Sequence, residues 1–200
     1  MASDVSTAAG MLTVEEGGAL LELARQAIAR RLDRAVDVPA NVAQTLAAPR
    51  LQERRGVFVT LKSNGRLRGC IGSLQPVGSI VEGVQDNALK AAFGDPRFPG
   101  LSVEELPAVQ IEVSVLTPLS PLSYHGSDDL VARLRPGRDG VLIEQGGLSA
   151  TFLPQVWEQL PQPEHFLGQL CLKAGLPAAA WREGRLRVET YQVQSFVEQR

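Results

Sequence analysis

The residues best equipped for chemistry sit together in Arg68-Gly69-Cys70-Ile71-Gly72, a thiol between two glycines with a guanidinium two positions before it. A thiolate is a strong nucleophile, and a nearby cation favours that form. Cys70 is therefore a candidate nucleophile or covalent carrier, with Arg68 as its activator. The competing reading is a packing role, because free cysteine is among the most buried residue types. Glycine weakens a strand interior, so two of them around Cys70 point to a bulge or to close approach by a ligand or another backbone.

Other candidates are scattered. In Asp95-Pro96-Arg97-Phe98-Pro99 an acid and a base stand two apart in a rigid turn. Either Asp95 and Arg97 pair to fix the loop, or Arg97 binds an anion. Asn87 falls mid-helix, where asparagine has poor propensity, so it faces a site or solvent. Glu112 and Ser114 occupy the polar face of an alternating strand. His125, in a loop, is a candidate proton-transfer group, and a Cys–His pair with His125 or His165 would suit nucleophilic catalysis. Cys70, His125, His165 and Cys171 lack clustered ligand spacing, so no metal is expected. The patterns GxSxG, GxGxxG and the Walker loop are absent, and no cofactor is expected.

The elements that must position these residues read clearly in places. Val57 to Lys62 is β-branched and apolar, Asn64-Gly65 is a type I′ turn signal, and Leu67 to Leu74 runs back. With an ideal two-residue loop, Leu61 faces Arg68 and Val59 faces Cys70. Cys70 then shares the core face with Val57, Val59 and Leu61, unless a bulge at Gly69 or Gly72 reverses the facing. Thr13 to Glu16 is a capping box opening a helix with Leu20, Leu21, Ala24, Ala27, Ile28 and Leu32 on one face, ended by Val38-Pro39. Residues 1–11 read as a disordered tail, and 38–56 as a mostly irregular connection. Ser79 caps a helix that Gly94 stops.

Ser102 to Glu105 repeats the capping-box pattern over one turn, stopped by Pro107, and Val109 to Val115 alternates as a half-buried strand. Ser127 to Leu134 is a short helix. A second hairpin spans Val141–Leu153 around Gly146-Gly147. Pro154 starts a short helical segment. Glu164–Ala174 is a helix with Cys171 on its apolar stripe, and Leu186–Val197 reads as one long strand.

Composition bounds the class. The 200 residues are 44% hydrophobic and 21% charged, ordinary for a globular chain. A net charge of −2 and 5% aromatic content give no case for nucleic acid. The N-terminal MASDVSTAAG has neither a basic start nor an apolar core, so no signal peptide is expected, and no run approaches a membrane span. Two cysteines far apart fit free thiols in a reducing, cytoplasmic setting.

Several blocks together resemble the AMMECR family, whose prokaryotic members are called AmmeMemoRadiSam system protein A. They are LRGCIGSL, DNALKAAFGDPRFPGLSVEELPAVQIEVSVL, LRPGRDGVLIEQGG, FLPQVW and FLGQLCLKAGL, in the family's order across residues 13–198. The hallmark is Arg68 to Gly72. The resemblance implies an α+β fold, a mixed or antiparallel sheet with packed helices. It implies one domain over residues 12–200, with a larger and a smaller lobe and a cleft near the RGCIG hairpin. It also implies association with a Memo-type protein and a radical S-adenosylmethionine protein, hence a shared modification pathway.

On this basis Cys70 and Arg68 are the expected catalytic residues of an enzyme or enzyme component. Gly69, Gly72, Asn87, Asp95, Arg97 and Glu112 are the expected substrate-binding set. The substrate would be a small molecule or a protein-delivered intermediate. The alternative is a non-catalytic binding or adaptor module in which the hairpin is structural.

Overall fold

The structure, a computed structural model, describes residues 11–34 and 39–199. The expected tail, Met11 apart, and the helix stop at Val38 lie outside the described residues. The fold is α+β, with five α-helices and two antiparallel four-stranded sheets among the described residues. The chain divides into two compact units, residues 1–117 with 194–200, and residues 118–193.

The first unit begins with α1 (Val14–Arg31). Its capping box is made in both directions, Thr13 accepting from the Glu16 amide at 3.1 Å and Glu16 accepting from the Thr13 amide at 2.7 Å. A seven-residue α2 (Ala40–Leu46) and a 3₁₀ turn at Pro49–Gln52 occupy the stretch expected to be irregular. β1 (Val57–Ser63) and β2 (Arg66–Ser73) form the hairpin, and α3 (Ile80–Phe93) carries a second complete capping box between Ser79 and Glu82. β3 (Val109–Leu116) alternates buried and half-buried residues as expected. Strand order is β2-β1-β3-β8, where β8 is Val193–Val197. α1 and α3 cover one face, burying Leu20, Ile28, Val84 and Ala88 against Val57, Val59, Leu61, Ile111 and Val113.

The second unit has a sheet ordered β4-β7-β5-β6, from β4 (Ser120–Pro121), β5 (Gly140–Gln145), β6 (Leu148–Phe152) and β7 (Arg187–Tyr191). With α4 (Gly126–Arg133) and α5 (Pro163–Lys173) it encloses its own core. There Trp157 stacks on Phe166 with ring centroids 3.7 Å apart. Cys171 is buried in this core, and both cysteines are free.

Two further expectations fail. The long C-terminal strand is two strands, β7 and β8, broken at Gln192 and committed to different sheets. Tyr191 is buried within the second unit, whereas Gln194 clamps the Leu12 backbone, accepting at 2.7 Å and donating at 2.8 Å. The turn after Ser102 forms only half a capping box: Glu105 accepts from the Ser102 amide at 2.9 Å. Pro107, expected to stop it, lies inside the 3₁₀ segment Leu106–Ala108.

Candidate functional site

Asn64 and Gly65 both take positive φ, 50° and 74°, so the hairpin turns as its sequence demands. The ladder then departs from the ideal register. Lys62 pairs with Leu67 but Leu61 pairs with Gly69, leaving Arg68 as an extra, bulged residue. Cys70 therefore faces Thr60, not Val59, which corrects the core-face placement. The driving force is plain. Without the bulge, Arg68 would stand beside Leu61, which is fully buried against α3, and an ionised guanidinium is costly there. The bulge swings Arg68 to Glu105 and presents Gly69 and Ile71 to the helix instead.

Each glycine of the motif has a packing reason. A Cβ on Gly69 would collide with the Ala91 carbonyl oxygen of α3, so the strand and helix backbones approach closely. On Gly72 it would strike the Phe58 ring, which lies opposite in the ladder, and the Val57 carbonyl.

Arg68 donates from Nε and Nη2 to the Glu105 carboxylate at 2.7 and 3.0 Å, and its buried Nη1 has no partner among the described residues. Those bonds raise the guanidinium's pKa against the opposing effect of burial, and they hold Glu105 below the usual carboxylate range.

The outer edge of β2 is closed by the Asp95–Arg97 turn. The Cys70 amide donates to Asp95 Oδ2 at 2.9 Å, and the Cys70 carbonyl accepts from Arg97 Nη2 at 3.2 Å. Asp95 also accepts from the Arg97 amide at 3.1 Å and from its Nε and Nη2 at 2.9 and 2.7 Å. One buried carboxylate and one guanidinium thus stand in for a neighbouring strand. The Arg97 guanidinium, followed by the Cys70 amide, holds the Asp95 carboxyl far below the carboxylate range. Phe98 lies near both guanidinium groups, 5.9 Å from that of Arg68 and 5.5 Å from that of Arg97.

The Cys70 side chain is half-buried on the sheet face away from α3. The Thr60 hydroxyl donates to its sulfur at 3.3 Å. Glu112 pairs with Thr60 from the other side and forms an ion pair with Lys62 at 2.8 Å. One step along, Ser114 Oγ lies 2.8 Å from Ser195 Oγ. The structure therefore brings Cys70, Asp95 and Arg97 into direct contact and adds Glu112 through Thr60.

Asn87 stands apart. Its amide donates to the Val57 carbonyl at 3.0 Å, and it lines a groove of about 130 Å³ with Arg55, Ile71, Ser73 and Lys90. Ile71 and Ser73 face α3, so this groove opens on the opposite side of β2 from the sulfur. A larger groove, about 610 Å³, belongs to the second unit and runs past Gly168, Trp181 and His165.

Thr60, Lys62 and Glu105 were not among the expected residues. Thr60 follows once the bulge is placed, and Glu105 was visible only as a helix cap. Among the described residues no group of three or more His, Cys, Asp and Glu could hold a metal ion, and no helix is long and apolar enough to cross a membrane.

Two antiparallel four-stranded sheets, with a bulged thiol hairpin at the edge of the first, define the class of α+β protein. The chain belongs to the AMMECR1 family, whose model matches residues 21–196. It is 40% identical to a protein of Thermofilum pendens, over 94% of this chain and 92% of the relative. It is 39% identical to one of Methanothermobacter thermautotrophicus, over 94% and 96%. The crystal structure of uncharacterized protein PH0010 from Pyrococcus horikoshii superposes with a TM-score of 0.74 at 35% identity, covering 92% of each chain.

Proposed function

We propose that this chain is an enzyme or enzyme component in which the Cys70 thiol is the nucleophile or covalent carrier. Its target would be a small molecule or an intermediate delivered by a partner protein. The observation that carries this reading is the bulge at Arg68, which turns the sulfur from the core to the polar face of the sheet. Packing and ion pairing account for Arg68, Gly69 and Gly72, and the backbone of Cys70 is held by Asp95 and Arg97. The sulfur has no such structural duty.

In the reaction the half-buried thiol first gives its proton to solvent water. The sulfur lone pair then forms the S–C bond, and the leaving group departs with its bonding electrons. The Thr60 hydroxyl donates to the sulfur, an interaction that strengthens as the sulfur gains negative charge. A Memo-type protein and a radical S-adenosylmethionine protein are the proposed partners.

The test is complementation of a deletion strain by Cys70→Ala and Cys70→Ser. Both variants should fold and neither should restore function. A Cys70→Ala protein that complements fully would overturn the reading in favour of an adaptor.

A further inference from the structure

We propose that the substrate of the Cys70 thiol carries an anionic group, a carboxylate or a phosphate, which Arg97 binds beside the sulfur. This inference rests on the thiol reading and adds the substrate class.

Three ion pairs surround the motif, and they differ in which member faces solvent. Asp95 is 2% exposed and Arg97 54%, so that pair presents its cation. Lys62 at 38% and Glu112 at 22% have the same order. Arg68 at 11% and Glu105 at 39% have the reverse, so Arg68 is spent inward on its acid. The Arg97 pair, bonded to the Cys70 backbone at the strand edge, and the Lys62 pair on the neighbouring strand thus both present their cation. Of the two arginines at the motif, Arg68 and Arg97, the accessible one is Arg97.

Arg97 is also fixed in advance. Asp95 holds Nε and Nη2, the Cys70 carbonyl takes a further bond from Nη2, and the Phe98 ring lies near the guanidinium. Among the described residues these bonds leave Nη1 uncommitted. A guanidinium locked this way loses little entropy on meeting an oxyanion, and its planar N–H array suits carboxylate and phosphate oxygens. Its link to the Cys70 carbonyl sets the bound anion within one residue of the sulfur. The charges are paired, so the selectivity is short-ranged rather than a long-range field.

Charge-selective alkylation tests this directly. Iodoacetate and iodoacetamide both transfer a CH₂ carbon to the thiolate and release iodide, and they differ in carrying a carboxylate or a neutral amide. The ratio of their rate constants at Cys70, read by peptide mass spectrometry, is compared with the same ratio for N-acetylcysteine amide, a thiol with no other charged group. The Cys70 ratio should exceed the reference by about three- to tenfold at low salt and fall towards it near about 0.5 M salt. Arg97→Gln should abolish the excess and Arg97→Lys should keep part of it. The salt series on the unmodified protein needs no variant, so a misfolded Arg97→Gln leaves the test intact. A reactive Cys70 with the ratio of N-acetylcysteine amide overturns the anionic substrate alone. A Cys70 that reacts no faster than the buried Cys171 with either reagent overturns the thiol reading beneath it.

Discussion

Gly69→Ala should destabilise the first unit by about 2–3 kcal/mol, the upper part of the range for forcing extra volume into a packed interior. The added methyl would overlap the Ala91 carbonyl oxygen, and neither side can yield cheaply. Gly69 is ladder-paired with Leu61, and Ala91 lies within the hydrogen-bonded body of α3. A flexible side chain could rotate away; two backbones cannot. The internal control is Gly83→Ala in the same helix. Its Cβ would meet Val57 at 3.5 Å, an ordinary contact, so relief of glycine's helix penalty should stabilise by about 0.5–1 kcal/mol.

The assay must see the right unit. Both tryptophans, Trp157 and Trp181, lie in the second unit, so tryptophan fluorescence reports that unit and not the hairpin. Hydrogen exchange of α3 amides across a urea series reads the first, because far-ultraviolet circular dichroism sums the secondary structure of both units. A shift of about 1 M in the midpoint is expected for Gly69→Ala. Equal stability of Gly69→Ala and the unmodified protein would refute the claim that this glycine exists for helix–strand contact.

Acid should weaken the Asp95 clasp. Its pKa in the fold is depressed, so its contribution is complete above the unfolded value of about 3.9 and is lost as pH falls below it. The stability gap between the unmodified protein and Asp95→Asn should therefore narrow from about pH 5 to pH 2 in denaturant titrations; a gap that widens in acid contradicts the assignment. At the alkaline end, burial pushes Tyr191 up to about 12, opposed by its bond with Thr151. A raised value in the fold means stability intact below the unfolded value of about 10 and lost as pH climbs towards the folded one. Near-ultraviolet absorbance should show Tyr191 ionising only as the second unit unfolds, and tyrosinate formed by both tyrosines in the native protein near about pH 10 would refute this.

Local chemistry was legible where a residue acts on its own neighbourhood. Asn64-Gly65 turns the hairpin, Thr13–Glu16 and Ser79–Glu82 cap their helices, and the alternation of Val109 to Val115 survives in β3. The family and its α+β fold were legible in whole blocks. What failed needed partners distant in the chain. α2 buries no residue, so it left no hydrophobic period to read. The last segment carries no Gly, Pro, Asn or Asp at Gln192 to mark a break, although the strands on either side serve different cores. The edge closure by Asp95 and Arg97 joins groups 25 and 27 residues from Cys70, and only the local ion pair was visible. The bulge is the instructive case. Placing Arg68 opposite fully buried Leu61 was a physical contradiction already present in the ideal register, and resolving it turns Cys70 outward.

That resolution also separates packing from chemistry within the hallmark. Asp95 and Arg97 grip Cys70 by its amide and carbonyl, which any residue at this position would supply. The Thr60 hydroxyl meets the sulfur, but on a half-buried polar face where water can replace it. Cys70→Ala should therefore change stability by less than about 1 kcal/mol, in contrast with Gly69→Ala one residue away. If unfolding of the Cys70→Ala protein shows a loss as large as that of Gly69→Ala, the sulfur packs and the hallmark is structural throughout. If stability is kept and complementation is lost, the difference between those two variants isolates the function of the thiol.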